Sequence, residues 1–194
     1  MAKLCTRGWY CIVVVALVLL PTVLSCSHVA QDSFDQGVAA LEKEDYDLAI
    51  ACFTEVIRLD SKWEDAYFNR GIAYVLKGEC DKAIADYTKA IRLNPEYADT
   101  YFNRGTVYTY NGEYDKAIAD FTEAIRLSPE YSEAYCNRGT VYKYKGEYDK
   151  AIADLTEAIR LDPEDVRAYY SRGNAHGMKG MSMNDSDSPK WRRS

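Results

Sequence analysis

The chain has 194 residues, 47% hydrophobic and 28% charged, a composition that supports one domain with an ordinary core and argues against general disorder. Its formal charge is −6, and because an acidic chain repels phosphate backbones, nucleic acid is set aside as a partner. The two histidines, His28 and His176, have no Cys, His or Glu at ligand spacing, which removes the common zinc sites.

Residues 1–25 carry Lys3 and Arg7, an apolar run from Cys11 to Leu20, then Pro21 and the ending Val23-Leu24-Ser25-Cys26. That order outlines a secretory leader, and the run is short for a spanning helix, which needs about 20 residues. The ending resembles the bacterial lipobox. The resemblance implies cleavage before Cys26 and lipidation of its sulfur, and two or more acyl chains are what stable attachment to a membrane requires. A leader cut without lipidation and an uncleaved signal anchor over Trp9 to Leu24 stand as alternatives. Each reading exports the rest of the chain, to the cell envelope or beyond it.

After a linker at 26–31, one pattern recurs. Gly37, Gly71, Gly105, Gly139 and Gly173 are each 34 residues apart, and Pro95, Pro129 and Pro163 keep the same step. A fixed period of this length signals a solenoid. The units run over 30–63, which is the most diverged, then 64–97, 98–131 and 132–165, with a partial fifth unit at 166–178 that serves as a cap. Within the third, Tyr101-x2-Arg104-Gly105-x2-Tyr108, then Ala117-x3-Phe121, Ala124 and Pro129, resembles the tetratricopeptide repeat of two antiparallel helices. Tyr and Arg stand where that family usually has Trp and Leu, and the exchange recurs in Tyr67/Arg70, Tyr135/Arg138 and Tyr169/Arg172. The resemblance implies an all-α, right-handed α-solenoid.

Local punctuation places the helices. In the third unit the first helix is predicted from Ala98 to Asn111-Gly112, and the second from Glu113 or Tyr114 to Leu127, stopped by Ser128-Pro129. Gly105 and Ala117 are expected to face each other, being small enough to let the helix backbones approach. The first unit has Glu44 where later ones have Gly78, Gly112 and Gly146, so its turn must form without a glycine cap. Residues 179–194, polar and then basic, read as a disordered tail. The stretch Asn184-Asp185-Ser186-Asp187-Ser188 lacks the glycine and the closing Glu of a calcium loop and reads as a linker.

Nothing in the sequence carries catalytic chemistry. There is neither a G-x-S-x-G elbow nor a Walker loop. The recurring Asp86, Asp120 and Asp154 read as a solvated face, and Cys52, Cys80 and Cys136, without a CxxC pair, read as packed thiols. The chain is expected to be a binding protein with no enzymatic activity and no cofactor.

The family resemblance implies that the first helices line a groove that holds peptides or partner helices. There Asn69, Asn103 and Asn137 resemble the asparagine ladder of some arrays, in which each carboxamide bonds a ligand backbone amide with both donor and acceptor. Beside it run the acids Asp65, Asp99 and Glu133, and an apolar row with Phe68, Phe102, Cys136 and Tyr170, followed by Leu76, Tyr110 and Tyr144. Acids at these positions argue against the branch that clamps acidic chain ends with lysines, and favour a basic or extended segment as ligand. Arg70, Arg104, Arg138 and Arg172 are expected to bridge acids of adjacent helices in exposed pairs worth about 0–1 kcal/mol each. Two functions fit: a membrane-tethered scaffold that holds a protein or peptide, or an assembly subunit of a larger envelope complex, self-associating through the edges of the array.

Overall fold

In the computed structural model residues 27–186 are described, with side chains through Met181. The leader, Cys26 and the residues after Ser186 lie outside them. Nine helices and no strand occur among the described residues: α1 at 27–42, α2 Tyr46–Leu59, α3 Glu64–Leu76, α4 Cys80–Leu93, α5 Ala98–Tyr110, α6 Tyr114–Leu127, α7 Ser132–Tyr144, α8 Tyr148–Leu161 and α9 Val166–Ser186. Two compact units, 1–82 and 83–194, divide within α4.

The predicted boundaries of α5 and α6 hold because backbone chemistry enforces them. Gly112 takes φ +75°, as Gly78 and Gly146 take +78°. The left-handed residue lets the Glu113 amide reach back to the Tyr108 carbonyl at 2.8 Å and the Gly112 amide to Thr109 at 3.1 Å, which satisfies carbonyls left over at the helix end. At the other end of α6, Ser128 is extended (φ −134°, ψ 90°), as a residue before proline must be.

The first unit builds the same closure without glycine. Asp45 donates to the Ala40 carbonyl at 2.9 Å and Glu44 to Leu41 at 3.0 Å, while Glu44 itself holds φ +59°. A side chain in that region is strained. Glu44→Gly is therefore expected to raise stability by about 0.5–1 kcal/mol, less than the full strain because glycine also frees the unfolded chain. An unchanged urea midpoint would show that no strain resides there.

Two sequence expectations fail at the ends. The residues assigned to a linker, 27–31, belong to α1, and the cap assigned to 166–178 continues as helix to Ser186, taking in part of the expected tail and of the stretch set aside as a calcium-loop remnant. One charge contact continues the repeat onto this helix. Lys77 pairs with Asp47 and Lys145 with Asp115, each thirty residues earlier, and Lys179 pairs with Asp149 at the same spacing. Lys77 and Lys145 stand just past the ends of α3 and α7, so the contact marks the register of α9 and leaves its extension to Ser186 unexplained.

In the unit 27–82, Phe53 is fully buried among Ala40, Ala49 and Ala73, with Phe34 against its edge. In the unit 83–194, α5 packs on α6, α6 on α7, α7 on α8 and α8 on α9. Phe121 of α6 joins Ala117 and Val141, flanked by Phe102, Tyr108 and Ile118, so one ring closes both its own helix pair and the next. Full burial of such a side chain contributes about 1.5–3 kcal/mol. Leu155 of α8 repeats the role among Cys136, Ala151, Ala158, Ala168 and Ala175.

The small residues of the two helices approach closely, as expected, and the glycine admits a ring as well. A Cβ on Gly105 would meet Phe121 at 3.0 Å and the Asp120 Cβ at 3.2 Å. One unit later a Cβ on Gly139 would lie 3.1 Å from the carbonyl oxygen of Ala151, the counterpart of the fully buried Ala117.

Candidate functional site

The first helices of successive units meet one another, α5 with α7 and α7 with α9, which places them along one inner face of the unit 83–194. The Asn103 side chain, half-buried there, donates its amide to the Asp99 carbonyl at 2.8 Å. In the unit 27–82, Asn69 does the same to Asp65 at 2.8 Å. Each carboxamide thus ties one N–H to its own helix, four residues back. Asn137 is half-buried at the corresponding place on α7.

The acidic row is less uniform than the sequence suggests. Asp99 accepts the Tyr131 hydroxyl at 2.8 Å, an internal bond that ties α5 to the segment before α7. The Tyr131 phenol is pushed upward from its ordinary range by burial first and by that carboxylate second. Glu133 is exposed and takes the Ser132 hydroxyl at 3.1 Å. In the unit 27–82, the Asp65 carboxyl is pushed up by partial burial and by neighbouring Glu64.

Of the apolar row, several members are packing rather than surface. Phe102 stacks on Tyr131 with ring centroids 4.9 Å apart and tilts onto Phe121 at 5.8 Å. Cys136 is buried at 3% exposure, and Phe68 is half-buried in its own unit. Tyr110, 83% exposed, and Tyr144, 56% exposed, do reach solvent, as Leu76 and Tyr170 do. Tyr144 leans on Tyr114 at 5.8 Å, which props its ring in place. An exposed ring held by a neighbour offers contact area at little loss of side-chain entropy.

Burial pushes the Cys136 thiol from 9.0 up to about 11, with the nearby Asp165 carboxylate as the next cause. Thiolate is the reactive form. Iodoacetamide at pH 8 should therefore modify Cys136 in the folded protein about a hundredfold more slowly than an ordinary thiol, and at an ordinary rate in urea. Mass spectrometry of the two time courses checks this, and equal rates would place the thiol at the surface.

The arginines correct two expectations at once. Arg104 donates through Nε and Nη2 to both oxygens of Asp120, each at 2.8 Å, and through Nη1 to Thr88 Oγ1 at 2.9 Å. Arg138 repeats the fork on Asp154 at 2.7 and 2.9 Å and reaches Thr122 at 2.9 Å. Asp120 is 6% exposed and Asp154 9%, so these carboxylates form no solvated face, and the pairs are not exposed. Asp86 is buried as well. The guanidinium of Arg104 also lies 6.0 Å from the Tyr101 ring and 5.8 Å from Tyr108, a cation–π arrangement. Tyr101 and Arg104, the two departures from the family pattern, therefore belong to one cluster, and the fixed sixteen-residue step from Arg to Asp was the sequence signal that would have revealed it.

Among the described residues no three His, Cys, Asp or Glu groups converge as metal ligands, and Cys52, Cys80 and Cys136 are free thiols. No helix among them is long and apolar enough to cross a membrane.

Comparison with curated proteins gives no match. Family models for the tetratricopeptide repeat match residues 37–78, 73–109 and 139–180, residues 98–131, and residues 121–153. Among solved structures, that of the MamA protein is 30% identical with a TM-score of 0.75, the match covering 79% of this chain and 84% of that one. YrrB, described as a TPR protein with an unusual peptide-binding site, is 24% identical with a TM-score of 0.68 over 76% of each chain. The first TPR of Spaghetti (RPAP3), solved bound to an HSP90 peptide, is 24% identical with a TM-score of 0.60 over 62% of this chain and 96% of that one. Those last two likenesses concern the fold. With repeat models spanning the units from Gly37 to Gly180 and the recurring helix pairs in place, the chain belongs to the tetratricopeptide repeat family.

Proposed function

We propose that this protein is a non-catalytic scaffold that holds a segment of a partner protein, or an extended peptide, along the inner face of α5, α7 and α9. The observation that carries the reading is the pair of exposed rings, Tyr110 and Tyr144, one unit apart at the ends of α5 and α7, beside carboxamides that face the same side. Rings at that repeat give a ligand successive apolar holds, and an asparagine oxygen accepts a ligand backbone N–H whatever the ligand's sequence. The exposed Glu133 favours a basic segment. Tethering to a membrane through a lipidated Cys26 is part of the proposal and rests on the Val23-Leu24-Ser25-Cys26 ending; a mature N-terminal peptide without lipid would remove it.

The test is affinity capture with the intact chain and with a Tyr110→Ala/Tyr144→Ala variant, followed by calorimetry on what is captured. Partners of the inner face are lost only from the variant. Asn103→Ala should then weaken binding by about 0.5–1.5 kcal/mol, the value of a neutral hydrogen bond. Glu133→Lys should weaken basic ligands most at low salt, because exposed charges are screened over about 10 Å at 0.1 M. It is a cleaner probe than Asp99, whose carboxylate already serves Tyr131. Identical capture by both proteins would move the partner off this face and favour the second reading, an assembly subunit acting through the edges of its array, which draws on the exposed Val166, Tyr169 and Tyr170 of α9.

A further inference from the structure

The last described helix repeats a receptor whose counterparts in the two preceding units are filled. In the third unit Gly105 admits Phe121 while Arg104 grips Asp120; in the fourth Gly139 admits Leu155 while Arg138 grips Asp154. On α9 the corresponding residues are Arg172 and Gly173. No described residue lies within 4 Å of where a Cβ on Gly173 would sit. Arg172 keeps the threonine contact, to Thr156 at 3.4 Å, and the tyrosine ring, Tyr169 at 5.6 Å.

The sequence does not continue the pattern at the corresponding positions. The step of sixteen residues that leads from Arg104 to Asp120 and from Arg138 to Asp154 leads from Arg172 to Ser188, and the position of Phe121 and Leu155 falls on Pro189. Neither the carboxylate nor the apolar side chain is encoded there. Tyr169 and Tyr170 are correspondingly 45% and 71% exposed, whereas Tyr135 is half-buried and Cys136 buried at the same places one unit earlier.

We propose that this face of α9 docks one helix of a partner protein, a helix carrying Asp followed directly by Phe or Leu, with alanine four residues before the apolar residue and three after it. That is the pattern of Ala117, Asp120, Phe121 and Ala124 in this chain's own α6, where it fills the same receptor. Charge complementarity points the same way, since Arg172 has a guanidinium aimed where its counterparts hold a carboxylate, and a bidentate fork is among the stronger polar contacts. A second copy is a poorer occupant, because its Asp120-Phe121 and Asp154-Leu155 are already buried in their own units. The chain's own residues 187–194 contain one acid, Asp187, against Lys190, Arg192 and Arg193, so on balance they are like in charge to Arg172. The docking face lies on the side of α9 that in α5 and α7 packs against the second helix of the unit, and it is independent of the inner face.

The probe is a fluorescent, end-capped peptide with the sequence of residues 113–128, titrated against the full chain by anisotropy. Saturable binding near 0.1 mM is expected, roughly, since an isolated helix of this length is marginal in water. Arg172→Met in the protein, and Asp120→Asn or Phe121→Ala in the peptide, should each weaken binding about tenfold. Gly173→Leu, which has open space and leaves the helical circular dichroism unchanged, should fill the hollow and abolish binding; Asn103→Ala should not alter it. Absence of saturable binding up to about 1 mM, the level of a very weak complex, or binding that survives Gly173→Leu, overturns the proposal. It also fails if the peptide binds only after residues 187–194 are removed, or if the chain alone forms dimers that Gly173→Leu dissolves, outcomes that assign the face to the tail or to a second copy.

Discussion

Arg104→Leu is expected to destabilise the array by about 3–5 kcal/mol, the usual consequence of leaving one member of a buried ion pair without its partner. The stranded group is Asp120, which has 6% exposure and receives both arms of the guanidinium fork. The double variant Arg104→Leu/Asp120→Leu should recover most of the loss, because two apolar side chains of similar volume remove the desolvation penalty together with the pair. Arg172→Leu should change stability by no more than about 1 kcal/mol, since the contacts of that guanidinium, to Thr156 and to the ring of Tyr169, are exposed and include no buried carboxylate among the described residues. Urea unfolding followed by circular dichroism gives all three changes. A small loss for Arg104→Leu alone would mean that Asp120 reaches water, contrary to the geometry.

Gly139→Ala and Gly173→Ala should move stability in opposite directions, about 2–4 kcal/mol apart. A Cβ on Gly139 would come within 2.8 Å of the Leu155 Cγ and 3.1 Å of the Ala151 carbonyl oxygen. Neither atom is the free end of a flexible side chain, so helix α8 itself must shift, and overpacking of this kind costs about 1–3 kcal/mol. At Gly173 the added methyl meets no described residue within 4 Å, which leaves the intrinsic helix preference of alanine, worth about 1 kcal/mol. Because each unit buries its apolar face against its neighbours, the damage at Gly139 should lower the melting of α7 and α8 together rather than of one helix. Matching melts for the two variants would sink the assignment of Gly139 as a point of close helix approach.

The contrast between these glycines also separates what is local from what is not. A period of 34 residues, glycines that end α3, α5 and α7 and prolines that follow α4, α6 and α8 are one-dimensional marks, and from them the all-α repeat and the limits of α5 and α6 can be read without coordinates. Backbone stereochemistry explains why: a left-handed cap and an X-Pro restriction act within a few residues of where they are written.

Exposure along the candidate site was only partly legible in the sequence. Tyr110 and Tyr144 face solvent as their place on the helix suggested, but Phe102, Cys136 and Asp99 sit on the same faces and are taken up by Tyr131 and by the packing of the next unit. Asp120 and Asp154 were misread for the same reason. An aspartate on a helix is usually solvated, and only a guanidinium arriving from a helix sixteen residues earlier makes its burial affordable. By itself, then, the sequence determined the repeat, the helices and their caps, since those follow from contacts between near neighbours in the chain. Tertiary structure alone decided which charges pair inside, which rings remain outside and that Gly173 stands open, because burial is a property of what packs against a residue from a distance along the chain.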